Sequence, residues 1–216
     1  GDVHKLSYII NDMLNEYPEE TIYALMNFTS THDISRAINM FGCEKEFSPY
    51  KEWYWDPVDN SHEHCKDYKM SKEDLIRARE IYKAYISALA FLPGNLSIFY
   101  GDEAGVEGLG NLANRKTYPW GDEDLDLVEF FTDIGKVRVN NKFLEQADLN
   151  VFKINRDYLM FERVNGDDRM LFAVNRTDND VDFKVPDEYS DSEDVYVLKK
   201  SRKGHLGPYG SIALKK

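Results

Sequence analysis

Near residue 148 the hydrophobic rhythm of the chain changes, and this change constrains the fold more than any other feature. Upstream, Leu6, Ile9, Ile10, Met13 and Leu14 recur at helical spacing until Pro18, which predicts an amphipathic helix over residues 4–17. An apolar, β-branched run over 22–28 reads as a strand, and 34–41 as a short helix. Ser71 with Asp74 forms a capping-box signature. It opens a helix in which Leu75, Ala78, Tyr82, Tyr85, Leu89 and Leu92 alternate in steps of three and four before Pro93-Gly94 ends it. Residues 96–100, bounded by glycines, read as a strand buried on both faces. Asp122-Glu123-Asp124 then opens a helix whose later turns carry Lys136, Arg138 and Lys142, as the macrodipole favours. The order helix, strand, helix, strand, helix implies a parallel sheet with helical crossovers.

From about Val151 the pattern becomes short alternating strands separated by turn residues. Runs over 158–164 and 169–175 flank Asn165-Gly166, a strong hairpin signal. Further runs at 181–185, 195–198 and 211–214 extend the set. We therefore expect an α/β region over 1–148 and a small antiparallel β-sandwich over 149–216. The acidic stretch 187–194 reads as a solvated loop rather than a metal site.

Composition excludes several classes. A net charge of −12 argues against nucleic acid or an anionic membrane as partner, because both select clustered Lys and Arg. No stretch approaches the ~20 apolar residues of a membrane span, and the first residues lack a signal-peptide pattern. Two cysteines, Cys43 and Cys65, are too few for a disulfide framework, although a single bridge stays open; a cytoplasmic setting is expected ahead of a secreted one. Three Asn-x-Ser/Thr matches, at Asn27, Asn95 and Asn175, fall in predicted strands or strand ends and read as chance matches.

The chemistry-bearing candidates begin at the end of the first strand. Phe28-Thr29-Ser30-Thr31-His32-Asp33 places an imidazole beside a carboxylate, with Arg36 three residues on. In a parallel barrel the catalytic residues come from the carboxyl ends of several strands, so a His-Asp pair there reads as site chemistry. The loop over 42–70 is long for a compact domain and therefore more plausibly functional than idle. It carries Tyr50, Trp53, Tyr54, Trp55 and Tyr68, of which Trp53 and Trp55 are the candidate sugar-stacking platforms; pinning the loop to the domain is the other reading. Cys43, His62, His64 and Cys65 invite a zinc reading, but their spacing is poor and no metal is expected.

Three segments make the chain resemble the α-amylase family (glycoside hydrolase family 13), in particular its neopullulanase, cyclomaltodextrinase and maltogenic amylase branch. They are Asn11-Asp12-Met13-Leu14-Asn15-Glu16-Tyr17-Pro18 leading into Met26-Asn27-Phe28-Thr29-Ser30-Thr31-His32-Asp33-Ile34-Ser35-Arg36; Leu92-Pro93-Gly94 through Tyr100-Gly101-Asp102-Glu103-Ala104-Gly105-Val106-Glu107-Gly108; and Asn114-Arg115 with Pro119-Trp120. The resemblance implies a partial TIM barrel, the last two β/α units of a (β/α)8 barrel (strands seven and eight with flanking helices), over 1–148, followed by an antiparallel β-domain over 149–216. It implies that Asp33 is the catalytic carboxylate that stabilises an oxocarbenium-like transition state and that His32 binds the same sugar; such contacts count because they strengthen as the ring distorts. Capping of the helix that follows is the bland reading of Asp33. Arg36, Glu103 and Arg115 join the substrate-binding candidates, with a structural role weighed above direct contact for Glu103 and a loop-to-helix salt bridge equally open for Arg115. Asn95-Leu96-Ser97 stands where the family frequently has Gly-x-Pro.

The family's nucleophile motif and acid/base motif, which a retaining glycosidase needs roughly 5 Å apart, do not occur here. The expected protein is thus a fragment or truncated product of a retaining hydrolase acting on α-1,4 glucosidic bonds, with α-1,6 bonds left open, and inactive by itself. A non-catalytic α-amylase-like binding or scaffold protein is the alternative. The implied partners are α-glucans, maltooligosaccharides or cyclodextrins, with no nucleic acid and no membrane. No organic cofactor is implied; calcium occurs in many relatives, but no ligand set here demands it. Exposed partial-barrel edges predict self-association, or else unusually tight packing on the C-terminal sheet.

Overall fold

The computed structural model describes residues 3–43, 67–110 and 112–216. In chain order these contain α1 (Val3–Glu16), α2 (Glu19–Tyr23), β1 (Met26–Phe28), α3 (Ala37–Gly42), α4 (Lys72–Phe91), β2 (Asn95–Ser97), α5 (Leu125–Asn140), β3 (Asp148–Ile154), β4 (Tyr158–Asn165), β5 (Asp168–Asn175), β6 (Val181–Asp182), β7 (Glu193–Leu198), β8 (His205–Leu206) and β9 (Ser211–Lys215). Contacts group the chain into two compact units. One comprises Gly1–Asn27, Ala84–Leu96 and Asp133–Lys216; the other comprises Phe28–Lys83 and Ser97–Thr132.

The first unit is dominated by an antiparallel sheet of order β3-β4-β5-β9-β7, with β6 and β8 paired separately. Asn165 pairs with Asp168, so β4 and β5 are joined by Gly166-Asp167, and Gly166 supplies the positive φ (60°) that a tight hairpin turn requires. Side chains alternate across the sheet, yet both faces of its central strands are buried. Met160, Leu171, Ala173, Ile212 and Leu214 pack with Phe183, Tyr189 and Leu206. On the opposite face Phe172 stacks on Phe91 of α4, ring centres 4.6 Å apart, and Tyr196 lies 5.6 Å from Phe91. The antiparallel domain is therefore present, but its second layer consists of the short β6–β8 pair on one side and the last turns of α4 on the other.

Arg163 of β4 is wholly buried and gathers helix-end carbonyls. It donates to Phe91 O (2.8 Å), to Leu144 O (2.9 Å) and through two nitrogens to Ala147 O (3.2 and 2.6 Å). Carbonyls at a helix C-terminus lack intrahelical partners, and a cation suits the negative end of the dipole. Desolvation, then the nearby Arg138 charge, lowers the Arg163 pKa to about 10, which still leaves the guanidinium protonated at neutral pH.

One expectation fails in this unit. The predicted strand over 22–28 is helical in its first part, because Pro18 (φ −57°) is set to start α2 and Glu19 and Glu20 occupy its first turn, where the dipole favours carboxylates. Only Met26–Phe28 is extended.

In the second unit the N-cap half of the capping box forms, and its other half is replaced by a bond between the two side chains. The Asp74 amide donates to Ser71 Oγ (3.1 Å), and the Ser71 hydroxyl donates to Asp74 Oδ2 (2.8 Å). Tyr82 anchors this core, its ring centre 6.2 Å from that of Phe41 and 6.0 Å from that of Phe131. The strand expected over 96–100 is shorter and more open than its sequence implies. β2 covers Asn95–Ser97, none of it fully buried, while Ile98 and Tyr100 are 45% and 43% exposed. The cause is the sheet itself: β2 pairs with β1 in a two-stranded sheet, and two strands leave apolar side chains uncovered.

Candidate functional site

The turn that follows β1 is held by residues distant in sequence. Ser30 Oγ accepts from the Ala37 amide (2.8 Å) at the start of α3, and Thr31 Oγ1 accepts from the Asp33 amide (3.2 Å). Asn114, fully buried, donates its side-chain NH2 to Thr31 O (2.9 Å) and to Ile34 O (2.5 Å), one carbonyl on each side of His32-Asp33. Arg115 Nε donates to His32 O (2.9 Å). The turn is thus fastened at three of its carbonyls by two adjacent residues.

What this fastening presents is an exposed cluster. His32 Nε2 lies 3.1 Å from Asp33 Oδ2, and Arg115 Nη2 lies 3.5 Å from Asp33 Oδ1. The side chains of His32, Asp33 and Arg115 are 65%, 67% and 42% exposed. An imidazole, a carboxylate and a guanidinium on one rigid turn can each hydrogen-bond a neutral hydroxylated ligand.

The glycine-rich segment 101–110 shapes the floor beneath. Gly108 O accepts from the Arg36 amide (2.8 Å), the Gly108 amide donates to Asn39 Oδ1 (2.6 Å), and the Gly110 amide donates to Ser35 Oγ (2.8 Å). A Cβ on Gly108 would lie 2.5 Å from Asn114 Cα and 2.6 Å from Ala113 O, so the backbones approach too closely for any side chain.

Arg36 is a correction to the sequence reading. Expected at the substrate, it is instead sealed inside the unit at 0% exposure. Its Nε donates to Asn114 O (2.9 Å), and its Nη1 donates to Tyr100 O (2.5 Å) and to Asp102 Oδ1 (2.8 Å). The Phe99 ring centre is 4.1 Å from the guanidinium carbon. The planar fork with five donors suits a buried hub that ties the 99–102 backbone to residue 114, and it leaves no route to solvent. Desolvation raises the Asp102 pKa, and the hydrogen bond from Arg36 opposes the rise.

Glu103 is half-buried, and its Oε2 is enclosed with no hydrogen-bond partner among the described residues. Trp53 and Trp55, like His62, His64 and Cys65, lie outside the described residues. Among the described residues, no group of three or more His, Cys, Asp and Glu is placed to hold a metal ion. The structure brings together His32, Asp33 and Arg115, and it adds Asn114. The sequence contained Asn114 only as the neighbour of Arg115 in a motif, with no sign that its amide would clamp both sides of the turn.

No family model matches the chain. By sequence it is similar to the amylopullulanase of Thermoanaerobacterium thermosulfurigenes, 30% identical over 190 residues, which is 83% of this chain and 9% of that protein. It is also similar to the amylopullulanase of Thermoanaerobacter thermohydrosulfuricus, 31% identical over 169 residues, 77% of this chain and 10% of that protein. The chain spans about a tenth of the length of the relatives it matches. By fold it is similar to the maltogenic amylase from S. marinus (TM-score 0.70, 20% identity, covering 100% of this chain and 26% of that one). The same holds for the cyclic α-maltosyl-(1→6)-maltose hydrolase from Arthrobacter globiformis in complex with its cyclic sugar (TM-score 0.69, 18% identity, 100% and 40%).

The fold is thus one shared with α-amylase-type glycosidases, and the exposed His-Asp turn lies within it. Sequence similarity to the amylopullulanases and fold similarity to the amylases agree over one segment, which is about a tenth of the length of the sequence relatives.

Proposed function

We propose that the chain is part of a retaining hydrolase of α-glucans, in which Asp33 steadies the oxocarbenium-like transition state, and His32 and Arg115 bind the same sugar. The observation that carries this reading is the fastened turn, with both carbonyl flanks held by Asn114 so that His32 and Asp33 project together into solvent. Contacts that strengthen as a ring flattens require donors and acceptors already in place, and a turn clamped on both sides supplies them without reorganisation. The solved relatives include a hydrolase holding a cyclic maltosyl-maltose and a debranching enzyme soaked with acarbose, which supports an oligosaccharide ligand of α-linked glucose.

Within the same proposal, β1 and β2 with the helices after them are the last two β/α units of a (β/α)8 barrel, and residues 149–216 form the domain that follows it. The exposure of Met26 (66%) and Phe28 (52%) on β1 supports this, since barrel strands carry apolar side chains that need further strands around them. The linkage cleaved by the whole enzyme is α-1,4, with α-1,6 left open. Self-association through those uncovered strands and a cytoplasmic setting belong to the same proposal; among the described residues no helix is long and apolar enough to cross a membrane.

Calorimetric titration with maltotriose tests the assignment. Binding that weakens about tenfold in Asp33→Asn and in His32→Ala is expected, as for loss of one charge-assisted hydrogen bond. Equal affinity in the parent chain and both variants overturns it.

A further inference from the structure

The loop that carries Asn114 and Arg115 continues into Trp120, the single tryptophan among the described residues. Trp120 is 84% exposed, and Tyr118 lies against it with ring centres 4.5 Å apart and planes inclined by 47°. The two rings form an open aromatic corner. Its presentation is built into the backbone: the Trp120 amide donates to Tyr118 O (3.0 Å), the Asp122 amide to Pro119 O (2.9 Å), and the Gly121 amide to Glu123 Oε2 (3.0 Å). Gly121 takes φ +83°, a conformation open to glycine at no cost, and this turns the chain immediately after the indole. The Tyr100 hydroxyl pins the stem of the loop by donating to Lys116 O (2.8 Å). A tryptophan left in water by accident would not need its turn held by this set of bonds.

We propose that Tyr118 and Trp120 form a saccharide-stacking subsite for an α-linked glucan, on the same loop that fastens His32 and Asp33. The proposal rests on the α-glucan reading above and extends it to residues that reading leaves unused. Flat aromatic rings with few rotors fit the apolar C–H faces of a sugar, and the inclination of the two planes suits a chain whose successive rings are turned relative to one another. Carboxylates supply the polar half of such a site. Glu123 stands at the corner through its bond with the Gly121 amide (3.0 Å), and the Tyr118 phenol is raised from its usual pKa by desolvation and then by Glu103 and Glu123. The chain's net charge of −12 selects a neutral ligand over a phosphate or an acidic peptide at this corner. The stretch from Arg115 to Trp120 spans at most about 18 Å, so one oligosaccharide a few units long reaches both the corner and the His32-Asp33 turn.

Maltoheptaose titrated into the isotope-labelled chain tests the proposal. Two sets of nuclear magnetic resonance signals are followed: the Trp120 indole N–H, assigned by its loss in Trp120→Phe, and the amides of Thr31, His32 and Asp33. The expected result is a saturable shift in both sets, and a roughly tenfold weaker dissociation constant in Trp120→Ala with the Thr31–Asp33 response retained. Response of the turn alone, with an unmoved indole and undiminished affinity in Trp120→Ala, overturns the subsite and leaves the α-glucan reading standing. Silence of both sets overturns the two together.

Discussion

Replacing Asn114 tests the physical basis of the site directly. Its amide NH2 donates to Thr31 O and to Ile34 O while the residue is completely buried, and its own Oδ1 has no hydrogen-bond partner among the described residues. Turning the amide over would aim that oxygen at two carbonyl oxygens, so the orientation is fixed by electrostatics. Asn114→Ala removes both donors and strands two part-buried carbonyls. Each hydrogen bond is worth about 1 kcal/mol net, and an unsatisfied buried acceptor about 1–3 kcal/mol, so a loss of about 2–4 kcal/mol follows. With a urea dependence of about 2 kcal/mol per molar, the unfolding midpoint falls by about 1–2 M. Asn114→Asp is the sharper variant, because it keeps the shape but sets acceptors against acceptors, and it should cost at least as much. Urea unfolding followed by circular dichroism gives the midpoints, and hydrogen exchange at the His32 and Asp33 amides reports the turn itself, expected to open at least tenfold more often in both variants. An Asn114→Asp variant as stable as the parent chain would falsify the two-carbonyl clamp.

Two further outcomes concern the antiparallel domain. Arg163→Met should lower stability by about 3 kcal/mol in the same urea assay, because the Phe91, Leu144 and Ala147 carbonyls lose their donors, while Arg163→Lys should lose less, its single ammonium being able to satisfy only part of the set. Tyr196, hydrogen-bonded to Ser87 Oγ at 2.7 Å, has its pKa raised by burial to about 12, above the ordinary value near 10. The stability this shift contributes is therefore intact below pH 10 and is lost as pH rises from 10 to 12, on the order of 2–3 kcal/mol. Unfolding midpoints measured from pH 8 to pH 12 should fall less steeply in Tyr196→Phe.

How far the residues announce this structure depends on the range of their interactions. The helix at Lys72–Phe91 is legible because its apolar spacing, its Ser71–Asp74 box and its Pro93-Gly94 stop all agree. The 158–175 hairpin is legible from a glycine at a turn that needs positive φ. Ile22 and Tyr23 read wrongly as the start of a strand because β-branched and aromatic residues favour strands, while the local geometry after Pro18 and two glutamates decides for helix. At the site, His32 and Asp33 stand out as a polar pair ending an apolar run. Arg36 is misplaced for a related reason: spacing shows that a cation is near a strand end, but only the fold shows that Asp102, Tyr100 O and Asn114 O surround it. The role of Asn114 depends on carbonyls 80 and 83 residues away, which no local pattern encodes.

We propose that this chain grips an α-glucan through Asp33 and His32 and does not cut it, since the reaction needs a nucleophile and an acid/base carboxylate beyond Asp33. The most direct test is a single nuclear magnetic resonance experiment on maltotriose mixed with the 216-residue chain, following saturation transfer from protein to sugar together with the anomeric signals over a day. The account predicts transfer that falls in Asp33→Asn, and no new reducing-end signals. The appearance of glucose or maltose, or transfer of equal strength in the variant, would contradict it.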